Sequence, residues 1–200
     1  MNYESGLFYK EKISTDKFKR KRLMDNLINS LEVDFPHTLC LHLIVITSDN
    51  KILRTFRSPK VEHYPETWSC SIEENFSLKD LEGNITLYNC CKRLLWEELA
   101  INDEKYDEKD FKILSVFLEA KVLNISLCGV IYLKINSQNL NKILKNQPRI
   151  DYEFSDWDFL DFKEDSLISE LVYPMKFYHP TSGFRLLMVL IQRYGIPTAK

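Results

Sequence analysis

The chain has 200 residues, 44% of them hydrophobic, with 27 basic against 29 acidic side chains and a formal charge of −2. That length and apolar content suit one domain with a full core. The near balance of charge excludes bulk electrostatics as the basis of a nucleic-acid or membrane partner, and the one basic run, Lys17 to Arg22, is of the kind that solvates a helix face.

From Ser14 to Leu31 the pattern is helical, with Phe18, Leu23, Leu27, Ile28 and Leu31 on one side, and "FPH" at 35–37 ends it. Residues 1–35 are therefore expected as a helical extension packed on a domain of residues 36–200. Thr38 to Ser58 reads as a hairpin: a β-branched, apolar first arm, "SDNK" as the turn, and "ILRTF" as the second arm. His42, between leucines in the first arm, is expected on the sheet face or in the core. Pro59 to Asn84 is loop-like with one short strand, Trp68 to Ile72. Asn84 or Thr86 can then cap a helix that runs to about Leu99.

The polar stretch "INDEKYDEKD" predicts a solvated loop. Lys112 to Ala120 and Ser126 to Ile135 predict two strands that bend near Asn124, the first with the imperfect alternation of a strand buried on both faces. "NSQNLNKILKNQP" reads as a short helix and loop, and "YEFSDWDFLDF" as a strand followed by an aromatic, acidic connection. Trp157, with Asp156, Asp158 and Asp161 around it, is expected at the lip of a pocket. "KEDSLISELV" and "HPTSGFRLLMVLIQRYG" are two closing helices, the last stopped by Gly195 and Pro197. This order predicts an α+β layered fold rather than a regular βαβ series.

The five cysteines are odd in number and lack a CxxC pair, which predicts reduced, buried thiols in a cytoplasmic protein. Adjacent residues on a helix point in different directions, so Cys90 and Cys91 do not suggest a metal site. No apolar run is long enough to span a bilayer, and the polar N-terminus does not read as a signal peptide.

The chemistry concentrates on the helix that ends near Leu99. Arg93 and Glu97 are four apart and face one another; Leu94 and Glu98 form the next such pair. Leu87, Cys91 and Leu94, flanked by Tyr88, Leu95 and Leu99, make an apolar stripe that would press on the sheet and leave Glu98 at its edge. Two successive carboxylates at a helix end can hold Mg²⁺ or Mn²⁺ by their oxygens, with water completing the shell. Such an ion would screen a diphosphate and could activate a water. Taken alone, the same spacing also describes an ordinary exposed pair worth about 0.3 kcal/mol.

"RLLWEELAI", Arg93 to Ile101, resembles the second half of the Nudix box, whose pattern is Arg-Glu-apolar-any-Glu-Glu-any-Gly-apolar. The arginine, the later glutamates and the apolar positions match; Leu94 replaces the first glutamate and Ala100 the glycine. In the first half of the box, Lys79 and Ile85 stand where the pattern has glycine and glutamate. The segment before the helix is similar to the Nudix arrangement of strand, Asp-containing turn, strand ending in arginine, then tryptophan. The long loop after that tryptophan resembles the branch that includes isopentenyl-diphosphate isomerase, where the box is also altered. The closing strand, short helix, proline-serine region and last helix complete a resemblance that covers roughly Pro36 to Gly195.

The resemblance implies an α/β/α sandwich with a mixed central sheet. It also implies a Mg²⁺- or Mn²⁺-dependent hydrolase of a nucleoside diphosphate linked to another group. Glu98 would be the principal metal ligand and Glu97 a second, both catalytic, with Arg93 orienting Glu97. Leu94 cannot bind a cation, so Glu74 or Glu73, just past the strand carrying Trp68, is expected to supply the missing oxygen; Glu119 is a further candidate. Arg54 and Arg57 could contact phosphate or base, or simply be strand-edge charges. Tyr64 and Trp68 could stack on a base, or simply pack. The alternative function is a Nudix-shaped module without catalysis that binds a nucleotide, a protein partner or a second copy of the chain.

Overall fold

At the centre is β1 (Leu39–Ile46), "LCLHLIVI", in which every residue after Leu39 is buried. A strand buried on both faces needs a layer on each side, and the alternation along β1 divides the core accordingly. Leu41, Leu43 and Val45 belong to one apolar cluster, Ile44 and Ile46 to another. The computed structural model describes residues 15–30, 38–82, 86–119, 124–147 and 150–195. Within these, β1 belongs to a seven-stranded sheet.

β2 is Lys51–Arg57, β3 Trp68–Ser69, β4 Ile72–Asn75, β5 Phe111–Glu119, β6 Asn124–Tyr132 and β7 Phe154–Asp161. β6 runs parallel to β1 along its whole length, and β5 pairs antiparallel with β6 at one edge. The other side of β1 is divided. Only Ile46 pairs with Ile52 of β2, beyond a turn in which Asn50 adopts a φ of 55° that asparagine tolerates. The first half of β1, Cys40 to Leu43, pairs instead with β4. The expected hairpin is thus present but splays after its first pair. Ser71 bridges the fork: its hydroxyl donates to the Leu53 carbonyl and accepts the Val45 amide, while Thr55 donates to the Ser71 carbonyl.

The helices are α1 (Lys17–Ser30), α2 (Thr86–Leu99), α3 (Ser137–Lys145), α4 (Ile150–Glu153), α5 (Glu164–Val172) and α6 (Ser182–Tyr194). On one face of the sheet, Cys90, Cys91, Leu94, Leu95 and Leu99 of α2, with Leu140 and Leu144 of α3, cover Leu41, Leu43 and Val45. On the other, Leu167 of α5 and Leu186, Val189 and Leu190 of α6 cover Ile44 and Ile46. The result is the α/β/α sandwich with a mixed sheet.

Three elements differ from the expectation. β5, expected as a strand buried on both faces, is instead the edge strand beyond β6, with its residues half-buried or exposed and Val116 64% exposed. The single strand Trp68 to Ile72 is instead β3 and β4: β3 stays with β2, and β4 crosses to β1, which carries Glu73 and Glu74 out of the loop and into the sheet. The acidic connection after Tyr152 is itself strand. β7 lies antiparallel to β2, where Asp158 faces Arg54 and Asp161 faces Lys51, so opposite charges neutralise an otherwise unfavourable strand sequence. Of the predicted first helix, Ser14 and Leu31 lie outside the described residues, as does Asn84 of the proposed cap. All five cysteines are free and buried, and among the described residues no helix is long and apolar enough to cross a membrane.

Candidate active site

The fork between β1 and β2 opens into a cleft of about 280 Å³. The ends of α2 and β4, the loop after β2, and α4 contribute to its walls. Six glutamates line it: Glu62, Glu73, Glu74, Glu98, Glu119 and Glu153; Arg57 is its only lysine or arginine among the described residues.

Its floor is a closed ion network. His42 is buried, with Nδ1 3.1 Å from Glu73 Oε2 and Nε2 3.0 Å from Glu119 Oε1. Glu119 also accepts the Ser126 hydroxyl at 2.7 Å. Glu73 takes the Arg57 Nη1 at 2.7 Å and lies 3.4 Å from Nη2 of the fully buried Arg185. Burial opposes the charge on Glu73, yet His42 and Arg57 hold its pKa well below the usual range. Burial likewise opposes the charge on His42, but Cys40 and the Glu73 carboxylate beside it raise its pKa well above normal. His179 differs. Burial dominates there and lowers its pKa to about 3, so its ring is neutral and its Nδ1 accepts the Thr181 amide. Arg57 is held in place from both sides, because Nε and Nη2 also donate to the His63 carbonyl, while the second N–H of Nη1 and of Nη2 is left without a partner among the described residues.

The opposite wall is acidic and loosely paired. Glu98 is 7% exposed, lines the cleft, and has no hydrogen bond or ion pair among the described residues. Burial raises its pKa well above normal, reinforced by the charges of Glu153, Glu74 and Glu73. Glu74 and Glu153 are also raised, in both cases chiefly by burial.

Arg93 holds α2 in place. Its Nε and Nη2 each reach a carboxylate oxygen of buried Asp80 at 2.9 Å, and Nη2 also donates to the Asn75 carbonyl at the end of β4. Its Nη1 donates to Glu97 at 3.1 Å and lies 3.5 Å from Glu74. Glu97 is half-exposed and does not line the cleft. Leu94 is 0% exposed within the core.

Ala100, at the glycine position of the box pattern, has a φ of 53° just past the end of α2. The helix terminus keeps the backbone that glycine favours, with Ala100 and Ile101 amides donating to the Trp96 and Leu95 carbonyls. An alanine is strained there by roughly 1 kcal/mol. Ala100→Gly should therefore stabilise the protein by about 0.5 kcal/mol after the entropic cost of glycine, read as a rise in melting temperature on the order of 2 °C.

Of the sequence-selected residues, the structure brings Arg57, Tyr64, Glu73, Glu74, Glu98 and Glu119 to one cleft. Arg54 and Trp68 lie away from it. Three residues from Arg57 along a strand, Arg54 projects to the opposite face, where it pairs with Asp158 at 2.6 and 2.8 Å and with Tyr178 at 2.8 Å. The Trp68 ring packs on Phe56 and beneath the Lys176 ammonium. Trp157 donates to Asn141 and packs on Phe154, also outside the cleft lining. Sequence reasoning left His42 to the core and did not single out His179, Arg185 or Glu153. The pairing of His42 with Glu73 across β1 and β4 appears only once the split hairpin is known.

Among the described residues, no three histidine, cysteine or acidic side chains stand close enough to enclose a metal ion together. The donor chemistry nonetheless fits a hard cation. Mg²⁺ and ions like it are held by one or two carboxylates while water fills the remaining positions, and Glu98 presents to the cleft a carboxylate without a partner among the described residues.

No family model and no curated protein sequence matches the chain. Solved structures do. The DR0079 protein of Deinococcus radiodurans superposes with a TM-score of 0.52 at 12% identity, over 82% of this chain and 89% of that one. A bifunctional NMN adenylyltransferase/ADP-ribose pyrophosphatase of Francisella tularensis, complexed with AMP and a manganese ion, gives 0.51 at 13%, over 91% of this chain and 51% of that one, so this chain spans about half its length. A MutT protein of Methanosarcina mazei gives 0.50 at 14%, over 81% and 97%. The chain has the Nudix fold; at these identities the likeness extends to the fold alone.

Proposed function

We propose that the protein is a Mg²⁺- or Mn²⁺-dependent hydrolase of a nucleoside diphosphate linked to another group, with the cleft as its active site. The observation that carries this reading is Glu98, a carboxylate 7% exposed and without a direct partner among the described residues, in a wall of glutamates. A buried, unpaired carboxylate is costly unless it is neutral or beside a cation. Moreover, glutamates outnumber Arg57 and His42 in the lining, so added positive charge would favour the approach of a diphosphate.

Glu98 would be the principal holder of the ion and Glu74 the second. Glu97, turned toward Arg93, would reach it through water. When bound, the ion would neutralise charge on the diphosphate and lower the pKa of its water. Arg93 positions α2 against β4. Arg57 and Tyr64 would face the substrate, the tyrosine ring offering a surface for a base. Arg54 and Trp68 would act only by steadying β2 and β7. The network of His42, Glu73 and Glu119 would keep the floor rigid, so that the substrate meets a preorganised surface. In this reading residues 36–200 form the catalytic domain and residues 1–35 an extension.

Nucleotide sugars, dinucleotides, capped ends and nucleoside triphosphates assayed with Mg²⁺ and Mn²⁺ test the reading. Turnover is expected for at least one substrate and should fall about 100-fold or more in Glu98→Gln. Absence of any turnover above that variant overturns it. One observation favours a second reading, a nucleotide- or protein-binding module without catalysis: Leu94 is fully incorporated in the core. A nucleotide-induced rise in melting temperature without product would select that reading.

A further inference from the structure

We infer that His179 and Glu73 together bind a sugar hydroxyl, so that the cleft takes a ribonucleoside diphosphate in preference to its deoxy counterpart. The inference rests on the hydrolase reading above and names the sugar that this site accepts.

The backbone holds His179 in the cleft wall. Its amide donates to the Trp68 carbonyl at 2.7 Å and its carbonyl accepts the Ser182 amide at 2.9 Å, which ties the residue to both β3 and α6. The groups around the ring then fix its tautomer. Nδ1 accepts the Thr181 amide at 3.3 Å and lies 3.4 Å from Nη2 of Arg185, and both of these groups are donors only. The Thr181 hydroxyl, 2.9 Å from the same nitrogen, therefore donates as well. Nδ1 carries no proton, so the ring proton is on Nε2.

That Nε2 lies 3.8 Å from Oε1 of Glu73, too far for a hydrogen bond. The two oxygens of Glu73 are unequally used. Oε2 has His42 at 3.1 Å and Arg185 at 3.4 Å, while Oε1 accepts only from Arg57, at 2.7 Å, among the described residues. A carboxylate oxygen accepts two hydrogen bonds, so Oε1 keeps one acceptor position. Both His179 and Glu73 line the cleft.

A donor and an acceptor side by side select the group between them. A phosphate oxygen only accepts and would face the charge on Oε1. An ammonium only donates and would face the proton on Nε2. A hydroxyl accepts from Nε2 and donates to Oε1 at the same time. Tyr64 sets this corner beside the surface offered to the base: its ring centroid is 4.6 Å from that of His179, edge to face at 82°. A base on Tyr64 would bring its ribose, one bond away, to His179, with the diphosphate continuing toward the acidic wall.

Titration calorimetry of the full chain with Mg²⁺ tests this, using the diphosphates of adenosine, guanosine, cytidine and uridine and their 2′-deoxy and 3′-deoxy counterparts. Wild type should bind the ribonucleotide about tenfold more tightly than one of the deoxy forms, and the form that binds weakly tells which hydroxyl is held. In His179→Ala that preference should disappear, while His179→Gln, which keeps an N–H donor, should retain part of it. A residue that only supports the fold would weaken ribo and deoxy forms alike and leave their ratio unchanged. Ring nitrogen-15 shifts of the wild type, read in parallel, should show a protonated Nε2 and a bare Nδ1 at neutral pH; the other tautomer or a charged ring overturns the inference whether or not the variants fold. Equal wild-type affinity for ribo and deoxy forms, or an unchanged ratio in His179→Ala, overturns it as well, and turnover in the substrate panel then leaves the hydrolase reading standing. If the wild type binds none of the diphosphates the inference fails, and if the panel also gives no turnover the hydrolase reading fails with it.

Discussion

Glu73→Gln should destabilise the protein by about 3–5 kcal/mol, the cost of removing one partner from a buried ion network. The substitution keeps the side-chain shape and removes only the charge. It leaves Arg185, which is fully buried and already has Nε and Nη1 without partners, with no carboxylate within reach among the described residues. It also strips Arg57 and His42 of a shared acceptor. Melting temperature should drop on the order of 10 °C, and urea denaturation should give the free energy directly. A loss below about 1 kcal/mol, the level of an exposed pair, would mean that the network does not hold the sheet to α6. The pH dependence supplies a second reading. His42 has its folded pKa raised above the ordinary 6.5, so its contribution is complete below that value and is lost as pH rises through the folded pKa. Removing Glu73 takes away one of the charges that raise it, and the alkaline fall in stability should begin at a lower pH in the variant.

That network marks where sequence reasoning stops. The sandwich was legible, because the runs in β1, β5 and β6, the stripe on α2 and the closing helices each follow from local periodicity. So was the place of Glu98, since its spacing from Leu94 puts it at the end of a buried stripe. The split of β1 between β2 and β4 was not legible. It depends on Ser71 filling the fork, a tertiary hydrogen-bonding arrangement that has no periodic signal. Without it, Glu73 and Glu74 read as equivalent loop acids. With it, adjacent residues of β4 separate: Glu73 turns to His42 and Arg185, and Glu74 to Arg93. Arg54 and Arg57 divide in the same way, one to the Asp158 cluster and one to the cleft. Glu153 is far from α2 in sequence and joins the cleft only because β7 pairs with β2, a contact that depends on charge matching between two strands.

Leu94→Glu, which restores the glutamate of the box pattern, should not create a better enzyme. It should cost about 4 kcal/mol or more, through loss of a buried leucine together with burial of an uncompensated polar group. Leu94 is 0% exposed and lies in the cluster that joins α2 to Leu41, Leu43 and Val45 of β1. Four residues further on, Glu98 is displaced along the helix by about 6 Å, and that step carries a side chain from the core to the cleft. A carboxylate at 94 would have to be protonated or would draw α2 away from the sheet, and either change moves Glu98 as well. Circular dichroism melting together with the substrate panel checks this: the expected result is a large fall in melting temperature with no gain in turnover. Turnover above wild type at an unchanged melting temperature would show that position 94 still reaches the cleft. In that case α2 carries its own second ligand, and a second carboxylate from Glu74 of β4 would not be needed. The physical choice is between an apolar helix face with an acid supplied from β4 and a carboxylated helix face with a weaker core, and the burial of Leu94 favours the first.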